Sequence, residues 1–142
     1  MSRSKEAKAA HANQAGAAEP DRSETVRCAR QLLGLRRLRE EMLGGNLFAD
    51  PAWDLLLHLY VESAAGRQVA ISGLCSAAKV RPTTGLRWIN LLVEAGLLEK
   101  NDDPEDARRV FVGFAPGAEE SIHRILGRTM AESTAEPPAQ VA

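Results

Sequence analysis

The chain has 142 residues, 44% of them hydrophobic but only 4% aromatic, with a formal net charge of -1 and a pI near 6.3. Such a length supports one domain with an aliphatic, alanine-rich core. The near-neutral balance excludes polyanion binding by bulk charge alone, so any nucleic-acid contact has to rest on a local patch. Cys28 and Cys75 stand in no CxxC motif and no Cys/His cluster, which leaves no metal site and no cofactor to be read. No apolar run approaches the roughly 18 residues of a membrane helix, and the N-terminus lacks an apolar signal core. The expectation is a cytoplasmic protein without a membrane partner.

In chain order, residues 1–21 mix alanine with charge and carry no large aliphatic side chain after Met1, which predicts a disordered arm. A long helix follows over about 23–43, with Cys28, Leu32, Leu35 and Met42 at helical spacing and Leu33 and Leu38 flanking. With Arg22 just before it, the segment carries six arginines against three glutamates, and Gly44-Gly45 stops it. Asp50-Pro51 starts the next helix as an N-cap carboxylate before a first-turn proline. Its core face is expected to use Trp53, Leu56, Leu57, Tyr60 and Val61, and Gly66 ends it. Val69-Ala70-Ile71 allows only a brief strand, and Ser72 is placed to cap a short helix through Ala78.

After a tight connection at Lys79-Val80-Arg81 comes the stretch "RPTTGLRWINLLVEAGLL", a helix with polar residues at its start and an apolar rear. Gly96 breaks it, and Leu97 to Lys100 lead into a strand. "NDDPEDARR" is a polar turn, "VFVGF" a returning strand, and a last helix over about 118–130 carries Ile122, Ile125, Leu126 and Met130. Residues 131–142, with Pro137-Pro138, are expected to be a disordered tail.

This order is a mainly α fold with a small β-hairpin wing: a winged helix-turn-helix lobe over about 48–114, flanked by N- and C-terminal helices. On that order, the helix after the tight turn is the recognition helix. The chain resembles the MarR family of bacterial transcription regulators. The resemblance spans about Ser23 to Met130 and rests on Leu92-x-x-x-Gly96-Leu97 closing the recognition helix and Asp106-x-Arg108 ahead of "VFV". It implies a homodimer built on the flanking helices, within residues 22–130, bound to double-stranded DNA. Phe114-Ala115-Pro116-Gly117 stands where members often carry Leu-Thr and a nearby glycine.

Thr83, Arg87, Asn90 and Glu94 fall on one polar stripe of the recognition helix, with Trp88, Ile89, Leu92 and Leu86 on other sides. The DNA-contact candidates there are Thr83, Thr84, Arg87 and Asn90. Hydroxyls and N–H groups at a helix N-terminus suit phosphate, and arginine takes a guanine edge with two bonds. Arg81 precedes the helix within reach of a flanking phosphate. The wing adds Arg108 and Arg109. The resemblance gives the motif arginine a minor-groove role with Asp106 orienting it, although four wing acids oppose the two arginines. From Arg67 to Gly113 there are seven Lys/Arg and six Asp/Glu, and the first helix adds +3.

No nucleophile elbow, phosphate loop or paired carboxylates emerge, and the chain is read as a non-enzyme. Cys28 and Cys75 read as buried small hydrophobes, with redox sensing as the sharper alternative, and His58 reads as a core-edge histidine. Two other readings stand beside the DNA-binding regulator. One is a winged-helix module for protein contact. The other is a sensor that takes a small-molecule effector between the flanking helices and the DNA-binding lobe.

Overall fold

A computed structural model describes residues 20–44 and 47–134. The arm read over 1–21 lies outside them except for Pro20 and Asp21, as does Gly45. The tail read from residue 131 is corrected at its start: Ala131 to Thr134 are the last turn of a helix, and the remainder lies outside the described residues.

Helix α1 spans Arg22–Leu43, and Gly44 ends it at φ 112° while returning its N–H to the Glu40 carbonyl. Helix α2 spans Pro51–Ala64. Asp50 caps it as expected, one carboxylate oxygen accepting from the Trp53 N–H at 3.3 Å. The buried set of α2 is wider than one stripe: Leu55, Leu56, Leu57, Leu59, Tyr60 and Val61 are all buried, while Trp53 is half-buried. This helix is the centre of the molecule, enclosed by the others.

Strand β1 is Val69–Ala70, and helix α3, Ile71–Ala77, follows at once. The Ser72 cap is corrected: Ala70 occupies the cap position and no side chain caps the helix. A tight turn through Lys79, at φ 55°, leads to helix α4, Pro82–Glu94, with proline in its first turn. Strands β2, Leu98–Asp102, and β3, Val110–Phe114, form the hairpin. The sheet has three strands in the order β1-β3-β2, since Val69 pairs with Val112 and Leu98 with Phe114. Thus the brief first strand fixes the wing to the lobe. Helix α5, Ala118–Thr134, closes the chain.

One core joins these elements. Ile89 and Leu92 of α4, Leu74 of α3, Leu98 and Val112 of the sheet and Ile122 and Leu126 of α5 close around α2. Each such side chain contributes about 1.5–3 kcal/mol by leaving water. Two residues of the recognition helix differ from expectation. Leu86 is 43% exposed, and Trp88 packs against the core from its edge, half-buried. Both stand to the sides of the buried line Gly85-Ile89-Leu92. Trp88→Ala is accordingly expected to cost about 2 kcal/mol, below the full-burial figure. A urea melt showing less than about 0.5 kcal/mol would place Trp88 outside the packed edge.

The first half of α1 and α5 do not present two free stripes; they pack on each other within the chain. Thr25 Oγ1 lies 3.1 Å from His123 Nδ1 and 2.7 Å from the Tyr60 hydroxyl, which is 3.0 Å from the same ring nitrogen. Arg22 donates to Tyr60 at 3.1 Å. Cys28 and Leu126 are buried beside this polar knot.

Candidate nucleic-acid interface

Helix α4 is held by three buried positions, Gly85, Ile89 and Leu92. At 100° per residue their centre lies opposite Thr83, Arg87 and Glu94, which are exposed. The expected polar stripe therefore faces away from the core. Thr84 and Arg81 are also exposed, Arg81 as the residue before the first turn. The N–H groups of that turn lack intrahelical acceptors and open toward solvent beside the two threonine hydroxyls.

Gly85 allows the two helices of the motif to approach. A Cβ built there would stand 2.3 Å from Cys75 Sγ and 3.3 Å from Cys75 Cβ, so α3 and α4 touch where only hydrogen fits. Cys75 is thereby assigned a packing role. Burial pushes its thiol, and that of Cys28, above the usual range, which disfavours the reactive thiolate.

Asn90 is half-buried, and its side-chain oxygen accepts from Lys100 Nζ at 2.8 Å. Lys100 belongs to β2 and escaped the sequence reading, because only the folding of the hairpin against α4 brings it to the stripe. Its charge partly offsets the wing acids. Asn90 keeps its amide N–H groups free for an acceptor.

The wing turn is built by its acids rather than merely decorated by them. Asp103 Oδ1 accepts the Glu105 N–H at 2.8 Å, and Asp106 Oδ1 accepts the Arg108 N–H at 3.0 Å. The Asp106 carboxylate also lies 3.5 Å from Arg108 Nε, and the Arg108 side chain is 94% exposed. Aspartate and arginine thus have the geometry in which one steadies the other. Arg109 lies over the Phe111 ring at 5.3 Å. Of the seven candidates, Arg81, Thr83, Thr84 and Arg87 cluster at the start of α4, Asn90 is bound to Lys100, and Arg108 and Arg109 stand on the separate wing.

Behind the start of α4 lies a cavity of about 320 Å³. Arg36 and Arg37 of α1, Asp54 and His58 of α2, and Lys79 and Arg81 line it. Arg36 is paired with Asp54, and burial is the main cause that holds His58 below its ordinary pKa. Among the described residues no group of three or more His, Cys, Asp or Glu is placed to hold a metal ion, and no helix is long and apolar enough to cross a membrane.

Residues 52–118 match the family model described as a winged helix DNA-binding domain. From α2 to the start of α5 the chain is therefore a winged helix domain, and the fold agrees with the MarR-like resemblance carried by Gly96-Leu97 and Asp106-x-Arg108. No curated protein matches the chain. Similar solved structures include AF1382 from Archaeoglobus fulgidus, at 18% identity over 70% of this chain and 99% of that one, with a TM-score of 0.52. NadR in complex with 4-hydroxyphenylacetate is 20% identical over 74% of this chain and 70% of its own, with a TM-score of 0.51. A MepR mutant from a multidrug-resistant S. aureus clinical isolate is 13% identical over 74% and 71%, at 0.50. At these identities the likeness is one of fold.

Proposed function

We propose that the protein is a MarR-like, sequence-specific transcriptional regulator that binds double-stranded DNA as a homodimer. The observation that carries this reading is the exposed stripe of Thr83 and Arg87 at the start of α4, set opposite the buried Ile89-Leu92 line. Entering the major groove, that end offers hydroxyls and free N–H groups to phosphate and one guanidinium to a base edge. Arg108, steadied by Asp106, follows the adjacent minor groove, and Lys100 and Arg81 contact flanking phosphates.

Arg87 is exposed, so Arg87→Ala leaves folding intact and isolates the contact. If it reads a base, operator binding falls by about 1–3 kcal/mol while binding to random DNA changes little. If it meets phosphate only, binding falls evenly and the salt slope loses about one ion. Fluorescence anisotropy on both DNAs at several salt concentrations separates these cases. Unchanged binding on both removes Arg87 from the interface.

A second reading concerns regulation. The cavity behind α4 is lined by Arg37, Lys79 and Arg81 as well as the paired Arg36, against the acids Asp54 and Glu40. A small organic anion suits it, and NadR offers a fold neighbour seen with 4-hydroxyphenylacetate. An occupant there shifts Arg81 and Thr84 and so alters DNA affinity. A panel of aromatic carboxylates is expected to include one that raises the melting temperature and weakens DNA binding together. Stabilisation without any change in DNA binding contradicts the link.

A further inference from the structure

Two exposed apolar side chains interrupt the polar face of α4. Leu86 is 43% exposed and Leu91 42%, in a helix whose outward face otherwise carries Thr83, Arg87 and Glu94. At 100° per residue the two leucines fall on opposite flanks of the Thr83-Arg87 line. Leu86 lies on the flank of Asn90, one turn nearer the start of the helix. Leu91 lies on the flank of Thr84 and the half-buried Trp88.

The wing distinguishes the two flanks. Lys100 of β2 holds its Nζ 2.8 Å from the Asn90 side-chain oxygen, so the hairpin stands beside the Asn90 flank. A duplex that takes the start of α4 in one groove and Arg108 in the next has to pass over that flank. Leu86 is therefore inside the surface between the helix start and the wing, and Leu91 is on its far side. Thr83, Leu86, Arg87 and Asn90 form one patch at i, i+3, i+4 and i+7, the spacing at which successive turns of a helix share a face. Three of the four carry hydrogen-bonding groups, and the leucine stands among them.

We propose that Leu86 reads thymine, its side chain packing on the C5-methyl group of one thymine in the major groove beside the contact made by Arg87. Chemistry selects the base. The other groups that mark a base in the major groove donate or accept hydrogen bonds, and leucine answers none of them. The thymine methyl is the apolar mark, and covering it takes apolar surface of both partners out of water. A leucine set over the amine of cytosine or adenine would strip water from a donor and return no hydrogen bond. The side chain that favours thymine thus also rejects other bases at its position. The inference rests on the DNA part of the proposed function and adds to it which base is read and by which residue.

Exchange of thymine for uracil removes the methyl group alone and tests this on the full chain. The DNA upstream of the protein's own coding region is amplified once with dTTP and once with dUTP, and anisotropy titrations give the ratio of the two affinities. The wild-type chain is expected to bind the thymine DNA about fourfold tighter for each methyl covered. Leu86→Ala, at an exposed position, should keep the wild-type melting temperature and bind both DNAs alike, whereas Leu91→Ala should keep the wild-type ratio. Equal affinity of the wild-type chain for the two DNAs overturns the inference, and so does a ratio that survives Leu86→Ala. A ratio abolished by Leu91→Ala instead moves the contact to the other flank. A wild-type chain that ignores the uracil exchange, yet gains affinity on DNA made with 5-methylcytosine only while Leu86 is present, gives the site to methylcytosine in place of thymine. No binding to any of these DNAs ends the regulator reading and this inference with it, whereas binding indifferent to the methyl group ends this inference alone.

Discussion

Gly85→Ala is expected to destabilise the domain by about 3 kcal/mol, a large effect for a single methyl group in an otherwise favourable helix substitution. At an ordinary helical site the same change stabilises by about 1 kcal/mol. The sign reverses here because the new Cβ would fall 2.3 Å from Cys75 Sγ and 3.3 Å from its Cβ. Cys75 is 2% exposed, so the sulfur cannot swing into solvent. Helix α4 must slide or tilt away from α3, and the register of Thr83 and Arg87 moves with it. DNA affinity should therefore fall further than stability alone explains. The partner change gives the check: with Cys75→Ala in place, Gly85→Ala should cost at least 1 kcal/mol less, a coupling that a double-mutant cycle in urea reads directly. Additive costs would mean that the two residues do not touch.

Tyr60→Ala is expected to cost about 3–5 kcal/mol, and Tyr60→Phe only about 1–2 kcal/mol. Tyr60 is fully buried in α2, and its ring fills the space between α1 and α5. Its hydroxyl meets Thr25 at 2.7 Å, His123 Nδ1 at 3.0 Å and Arg22 at 3.1 Å. Phenylalanine keeps the ring and leaves Thr25 and His123 within 3.1 Å of each other, so only the Arg22 donor loses its partner. Alanine opens a cavity and removes the contact that ties three helices together. Thermal unfolding of the two variants checks the difference. Equal losses would show that the hydroxyl, and not the ring, holds the junction.

The recognition helix was legible in the sequence because its signals are local. Pro82 marks its first turn, Gly96 at φ 78° its exit, and the stripe Thr83-Arg87-Glu94 follows from helical geometry alone. The Asp50-Pro51 start of α2 was legible for the same reason. What escaped depends on contacts between distant segments. Leu55 and Leu59 fall outside the core face that one-sided helical spacing predicts for α2, because that spacing assumes a solvent side this central helix lacks. Lys100 meets Asn90 only once β2 folds beside α4. Nothing in the sequence marks Gly85, because its closeness to Cys75 arises only from the tight turn through Lys79. Helical spacing marks the apolar residues of α1 and α5 alike, whereas the structure buries Cys28 and Leu126 between these helices and leaves Leu35, Leu38, Met42 and Leu43 exposed.

Specific DNA binding through the start of α4 is tested by a gel shift of the wild-type protein on the DNA upstream of its own coding region, run as a salt series against random DNA. A discrete complex is expected on the upstream DNA, one that survives competition by random sequence and weakens steeply as salt rises. Equal affinity for both DNAs, or no shift on either at low salt, would contradict it.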